Sequence, residues 1–201
     1  GGGASAASAV VSVGVVNGAV VLVTGTAGNS TSQSIITSGR HFRGDCNAVM
    51  MARLTVDVIT TVKIEVGFRA LITTAALVNS KATPTFTGTE GACWIYDTTD
   101  TGRGWDGVGV AASTAAERMS SNNVSPTAGA YEYLMVALQD GTAYFSHFTA
   151  AGVRDHGPTA LALAETKTVL QAPYVLVEAR NASSKTLTLD WVCAYQGRTT
   201  D

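Results

Sequence analysis

The chain has 201 residues, of which 46% are hydrophobic and only 14% charged, with 21 Gly and a net charge of -2 from 13 basic and 15 acidic residues. That length suits one all-β sandwich, the few charged residues argue against long solvated helices, and with no block of like charge the chain has nothing to neutralise a run of phosphates, which excludes a nucleic-acid partner. The longest apolar stretches are interrupted by Ser12, Gly14, Asn17 and Gly18, so neither is a membrane span and no insertion is expected.

In chain order, residues 1–34 are rich in Gly, Ala, Ser, Thr and Val, with two apolar runs broken at Asn17-Gly18, a dipeptide suited to a hairpin turn. The segment reads as an arm or a first hairpin that contacts an assembly, and residues 1–39 are set apart from a domain at 40–201. Its opening residues carry neither a basic stretch nor an initiator Met, so the start reads as processed or truncated and not as a signal peptide.

Residues 48–58 alternate, with Ala48, Met50, Ala52, Leu54, Val56 and Val58 on one face and Arg53, Thr55 and Asp57 on the other. Residues 62–69 repeat the pattern, with Val62, Ile64, Val66 and Phe68 inward and Lys63, Glu65, Gly67 and Arg69 outward. The two strands are expected to pair, leaving Arg53, Asp57, Lys63, Glu65 and Arg69 as a solvated face or a subunit contact. Residues 71–90 are polar and Thr-rich with Pro84 among them, which predicts a long surface loop before a short strand at 92–97. Thr114-Ala-Ala-Glu117 matches a capping box and residues 159–167 are rich in Ala and Leu. Both are too short to hold as helices, and they read as a turn or edge strand and a connecting segment. Residues 131–139 and 142–148 flank Asp140-Gly141, a two-residue hairpin signal. Residues 174–180 form a strand, and 186–195 close the domain with Leu187, Leu189, Trp191, Cys193 and Tyr195 aligned on one face.

The chemistry-bearing residues are few. Cys46, Cys93 and Cys193 are odd in number and far apart, which fits buried thiols better than a disulfide framework or a zinc site. Gly102-Arg-Gly104-Trp-Asp-Gly107 matches a dinucleotide fingerprint by letters, but a strand rather than a helix follows, so it reads as a turn. Asp97, Asp100 and Asp106 share a loop and could supply oxygen ligands to Ca²⁺, although exposed turns contain the same residues. Trp94, Tyr96 and Trp105 bracket that loop, with Arg103 and Asp106 beside them, as an aromatic platform with polar neighbours for a glycan would be built. The competing reading puts Trp94 in the core. His41, His147 and His156 are scattered and read as surface or strand residues, with no cofactor expected.

Taken together, Arg53-Leu54, Lys63-Ile-Glu-Val-Gly-Phe68, Gly91-Ala-Cys-Trp-Ile-Tyr-Asp97, Gly129-Ala-Tyr-Glu-Tyr-Leu-Met-Val136, Gln139-Asp-Gly-Thr-Ala-Tyr-Phe145 and Ser184-Lys-Thr-Leu-Thr-Leu-Asp-Trp-Val192 resemble concanavalin A-like jelly-roll modules of bacteriophage virion proteins. The resemblance covers residues 40–198 and implies a two-sheet antiparallel jelly roll on the particle surface. It would be a head decoration or tail-fibre module, touching other virion proteins or its own copies in a homotrimer, and binding cell-surface carbohydrate in a lectin-like alternative. The same fold houses glycoside hydrolases and polysaccharide lyases, so catalysis must be judged from the site. The hydrolase pattern Glu-x-Asp-x-x-Glu places its acids on one face of one strand. Here the nearest equivalent is Glu65 between Lys63 and Arg69, and a non-enzymatic protein is expected.

Overall fold

A computed structural model describes residues 8–10, 18–26, 32–71, 75–81, 89–100, 104–111, 114–118, 124–162 and 168–197. Among these, thirteen strands make two antiparallel sheets. One sheet contains β1 (Ser8–Val10), β2 (Val20–Val23), β13 (Thr186–Tyr195), β4 (Ala48–Val56), β9 (Glu132–Gln139), β10 (Thr142–Phe148) and β11 (Arg154–Ala162), in that spatial order. The other contains β3 (Gln33–Thr37), β12 (Ala172–Ala179), β5 (Val62–Arg69), β6 (Gly91–Asp97), β7 (Asp106–Ala111) and β8 (Thr114–Arg118).

Period-two burial builds the core between them. Met50, Leu54, Leu134, Val136, Leu187 and Leu189 of the seven-stranded sheet meet Ile64, Val66, Phe68, Trp94, Val175 and Val177 of the six-stranded sheet. Burial of each large side chain contributes about 1.5–3 kcal/mol. The hairpin β9–β10 turns at Asp140 and Gly141, whose φ values of 41° and 80° are what a two-residue turn between twisted strands requires.

Several expectations change. The alternating strands β4 and β5 do not pair. The link between them carries the chain from one sheet to the other, and their apolar faces meet across the core. Alternation marks a buried face but is blind to whether its partner lies beside it or opposite it. In the N-terminal segment β1 pairs with β2, β2 with β13, and β3 with β12, while Asn17 of the expected Asn17-Gly18 turn lies outside the described residues. Residues before Arg40 therefore contribute to both sheets. Thr114-Ala-Ala-Glu117 lies in β8, an edge strand, while 159–162, expected as a connection, extend edge strand β11.

Residues 75–81 depart furthest from the surface loop expected over 71–90, of which 72–74 and 82–88 lie outside the described residues. Ala76, Leu77, Val78 and Lys81 are buried, laid across the outer face of the six-stranded sheet. There Ala76, Leu77 and Val78 join Ile35, Cys93, Ile95, Val108, Val110, Tyr174 and Leu176 in a second apolar cluster. The molecule thus has a third layer, a strap of residues 75–81.

Candidate functional site

The strap covers the part of the sheet where the sequence places Glu65. Strand alternation puts Lys63, Glu65, Gly67 and Arg69 of β5 on the outer face, and register sets Glu178 and Asp97 on either side of Lys63. A solvated charged surface was expected, but Lys63, Glu65, Arg69, Asp97 and Glu178 are all nearly inaccessible. Buried charges persist only when paired and hydrogen-bonded, and each of the three carboxylates is. Glu65 accepts the backbone N–H groups of Leu77 (2.8 Å) and Val78 (3.0 Å) and the hydroxyl of Tyr174 (2.9 Å). Glu178 Oε2 takes Lys63 (2.8 Å) and the amide of Gln33 (2.8 Å), and its Oε1 is ion-paired with Arg180 at 2.7 Å. Lys63 also donates to the Val78 carbonyl at 2.8 Å, and Arg69 to that of Ala75 at 2.6 Å, so the charges of the sheet hold the strap down.

Asp97 pairs with Arg180 and accepts the backbone N–H groups of Lys81 and Thr99. Burial works to raise its pKa, but the hydrogen bond and charge of Arg180, with the hydrogen bonds of Thr99, hold the carboxyl below the ordinary value. Burial, then the neighbouring Glu65 carboxylate, push the Cys93 thiol well above its usual range, so it stays protonated.

Of the three aspartates considered for Ca²⁺, two lie beside a lysine ammonium and the third pairs with an arginine. The Lys81 ammonium lies 3.3 Å from Asp106 and 3.9 Å from Asp100 and donates to the Gly104 carbonyl at 2.6 Å. Asp97 is committed to Arg180. No group of three metal-ligating side chains forms among the described residues.

The expected glycan platform also takes another form. Trp94 and Trp105 are fully buried and Tyr96 nearly so. Trp94 donates to the Met135 carbonyl (3.0 Å) and meets Phe145 edge-on, while Tyr96 donates to the Ile59 carbonyl (2.8 Å) and packs on Trp105. Their rings fill the core, where the apolar area of a Trp is worth most, and present no face to a ligand. Asp106 is buried beside Lys81, and Arg103 lies outside the described residues. Trp105 leads to a group that sequence reasoning missed. Its indole N–H donates to Glu132 at 2.7 Å, His147 Nε2 lies 3.1 Å from the same oxygen, and the Thr127 N–H donates to the other oxygen at 3.0 Å. This polar knot between the sheets lets a Trp and a carboxylate be buried together.

Exposed aromatic residues occur on the opposite side of the molecule. In β13 the register slips between Leu189, opposite Leu54, and Trp191, opposite Arg53, so Asp190 is an extra residue in a bulge. The strand changes phase there. Trp191, Cys193 and Tyr195, expected in line with Leu187 and Leu189, face outward instead, and Cys193 is an exposed thiol rather than a buried one. Register then places Trp191, Arg53, Tyr133 and Phe148 side by side on four adjacent strands. Arg53 is ion-paired with Asp190 and lies 4.0 Å from the Tyr131 ring centroid and 5.6 Å from that of Tyr133. Tyr133 and Trp191 have centroids 6.0 Å apart.

No protein-family model matches this sequence, and neither does any curated protein. Among solved structures the chain is similar to a protein of unknown function from Shewanella oneidensis, with 13% identity over 93% of this chain and 72% of that one and a TM-score of 0.60. It is also similar to an alginate lyase of polysaccharide lyase family 7, with 10% identity over 92% and 82% and a TM-score of 0.57. A third likeness is to an immunostimulatory antigen and pseudo β-1,3-glucanase of Mycobacterium tuberculosis, with 11% identity over 90% and 76% and a TM-score of 0.59. At these identities the likeness is one of fold, and it shows that the two sheets form a concanavalin A-like jelly-roll sandwich.

Proposed function

We propose that this protein is a non-enzymatic jelly-roll module that works by surface contact rather than by turnover. The observation that carries this reading is the strap. Hydrolysis of a glycosidic bond by a pair of acids needs carboxyl groups that can reach a sugar, whereas Glu65, Glu178 and Asp97 lie beneath residues 75–81 with their oxygens held by Lys63, Arg180, Tyr174 and backbone N–H groups. Within this class, the resemblance of residues 40–198 to phage modules supports a place on the outside of a virion. That place would be a head decoration or tail fibre, in contact with other virion proteins or with its own copies as a trimer.

A polysaccharide lyase or glycoside hydrolase is the second reading, favoured by a neighbour described as an alginate lyase; another, described as a pseudo β-1,3-glucanase, favours the first. Incubation of the purified protein with alginate, xylan and β-1,3-glucan, followed by assays for new reducing ends and unsaturated products, separates them. No product above a heat-treated control is expected, and steady product release sinks the non-enzymatic reading. Immunogold labelling of particles tests the virion placement, which fails if intact particles carry no label.

A further inference from the structure

Lysine is among the residues least often fully buried, and its ammonium normally keeps to water. Lys81 of the strap is fully buried and is held at its root and at its tip. Its backbone N–H donates to Asp97 (3.2 Å) and its Nζ to the Gly104 carbonyl (2.6 Å). Two carboxylates flank the Nζ: Asp106 Oδ2, fully buried, at 3.3 Å and Asp100 Oδ2, nearly buried, at 3.9 Å. Asp106 is in turn fixed by the sheet ladder, opposite Ile95 at the start of β7 and next to the buried Trp105. An amine, a carboxyl carbon and a second carboxyl group are thus brought together out of water by elements that are themselves anchored.

This pair differs in kind from its buried neighbours. Asp97 and Glu178 face the guanidinium of Arg180, a group that keeps its proton and its charge. A lysine ammonium can pass its proton to a carboxylate, and where no water solvates the ions the neutral amine and acid come within reach. The Lys81 Nζ touches an oxygen of Asp106, so the carboxyl carbon lies one bond beyond the contact. Holding two reacting groups at such a distance replaces an encounter in solution by an intramolecular step, equivalent to a concentration on the order of 10⁵ M or more.

We propose that Lys81 and Asp106 condense to an isopeptide bond that ties the strap covalently to β7. The Lys81 Nζ first passes one proton to the Asp106 carboxylate, leaving an amine and an acid. Nζ then attacks the carboxyl carbon and forms the N–C bond, while Asp100 takes a proton from the nitrogen and returns it to the departing hydroxyl. The C–O bond breaks and one water leaves, with no change of oxidation state and no co-reactant. A neutral amide replaces a buried ion pair, which removes the cost of keeping two charges out of water. The bond also closes the chain from residue 81 to residue 106 into a loop, and so constrains the unfolded chain as a disulfide would. This modification goes beyond the reading of the protein as a contact module and does not depend on it.

Intact-mass spectrometry of the purified wild type, unfolded in guanidinium and reduced, tests it. The expected mass lies about 18 Da, one water, below that of the sequence. Trypsin is expected to leave the chain uncut at Lys81 and to release residues 70–103 joined to 104–118 as one branched peptide. Lys81→Arg and Asp106→Ala are expected at their full sequence masses, and so is Asp100→Asn, which keeps both bonding partners. A wild type at full mass overturns the proposal, whether or not any variant folds. So does a deficit carried by a linear peptide, as a succinimide at Asp106-Gly107 or Asp140-Gly141 would leave, with trypsin cutting after Lys81 and hydroxylamine cleaving at that Asp. A deficit that persists in Asp106→Ala overturns it as well, since the amine has then found another acceptor. Full condensation in Asp100→Asn overturns the part assigned to Asp100 as the proton relay.

Discussion

The two outer faces of this sandwich have been treated in opposite ways. On the six-stranded sheet, Lys63, Glu65, Asp97 and Glu178 are sealed beneath residues 75–81, and Leu77 and Val78 supply both apolar contact and backbone N–H groups to the seal. On the seven-stranded sheet, Trp191, Tyr133 and Arg53 stay within reach of solvent with nothing laid over them among the described residues. The face rich in titratable groups is therefore closed and the face rich in rings is open. Charge is expensive to bury and is retained only inside a complete network, so the sealed face reads as structure. Half-buried aromatic area left in water contributes little to folding, so the open face is where contact chemistry can be sought.

The comparison breaks most readily at Lys63. Lys63→Met keeps the stem but leaves Glu178 and Glu65 without the ammonium that lies 2.8 Å and 3.7 Å from them. Removing one partner of a buried pair costs about 3–5 kcal/mol, and chemical denaturation should show a loss of that order. A change below about 1 kcal/mol would mean that the strap is not held by charge.

A smaller effect is expected from acid. The Asp97 carboxyl has a folded pKa below its unfolded one, so its pairing stabilises the fold above about pH 4 and that contribution is lost as pH falls through the folded value. Thermal melting from neutral pH down to strongly acidic buffer should therefore fall more steeply below about pH 4 in wild type than in Asp97→Asn. Parallel curves would remove Asp97 from the acid response.

The smallest stability change belongs to the open face. Trp191→Ala should lower unfolding free energy by about 1 kcal/mol, mainly through loss of its ring contact with Tyr133. A loss of about 2 kcal/mol or more by the same denaturant titration would make Trp191 a packing residue and weaken the contrast between the faces.

Much of the architecture was legible before any coordinates. The alternation of Ala48 to Val56 and of Val62 to Phe68 marked their buried faces, and Asp140-Gly141 marked its hairpin, because side-chain direction and turn dihedrals are local properties of the chain. The candidate site was less legible. The apolar run Ala75-Ala-Leu77-Val78, with Lys81 close behind, was a signal that residues 75–81 do more than cross the surface. Polar neighbours and Pro84 masked it.

Residue pattern alone determined the all-β class, the core-facing residues of β4 and β5 and the β9–β10 hairpin. Tertiary structure decided which strands are neighbours, whether a charged row meets water or a strap, and where β13 changes phase. The reason is physical: a period-two pattern says that a face is buried, not what buries it. One extra residue at Asp190 is enough to turn Trp191 from the interior to the surface, and only its pairing with Arg53 on β4 reveals the turn.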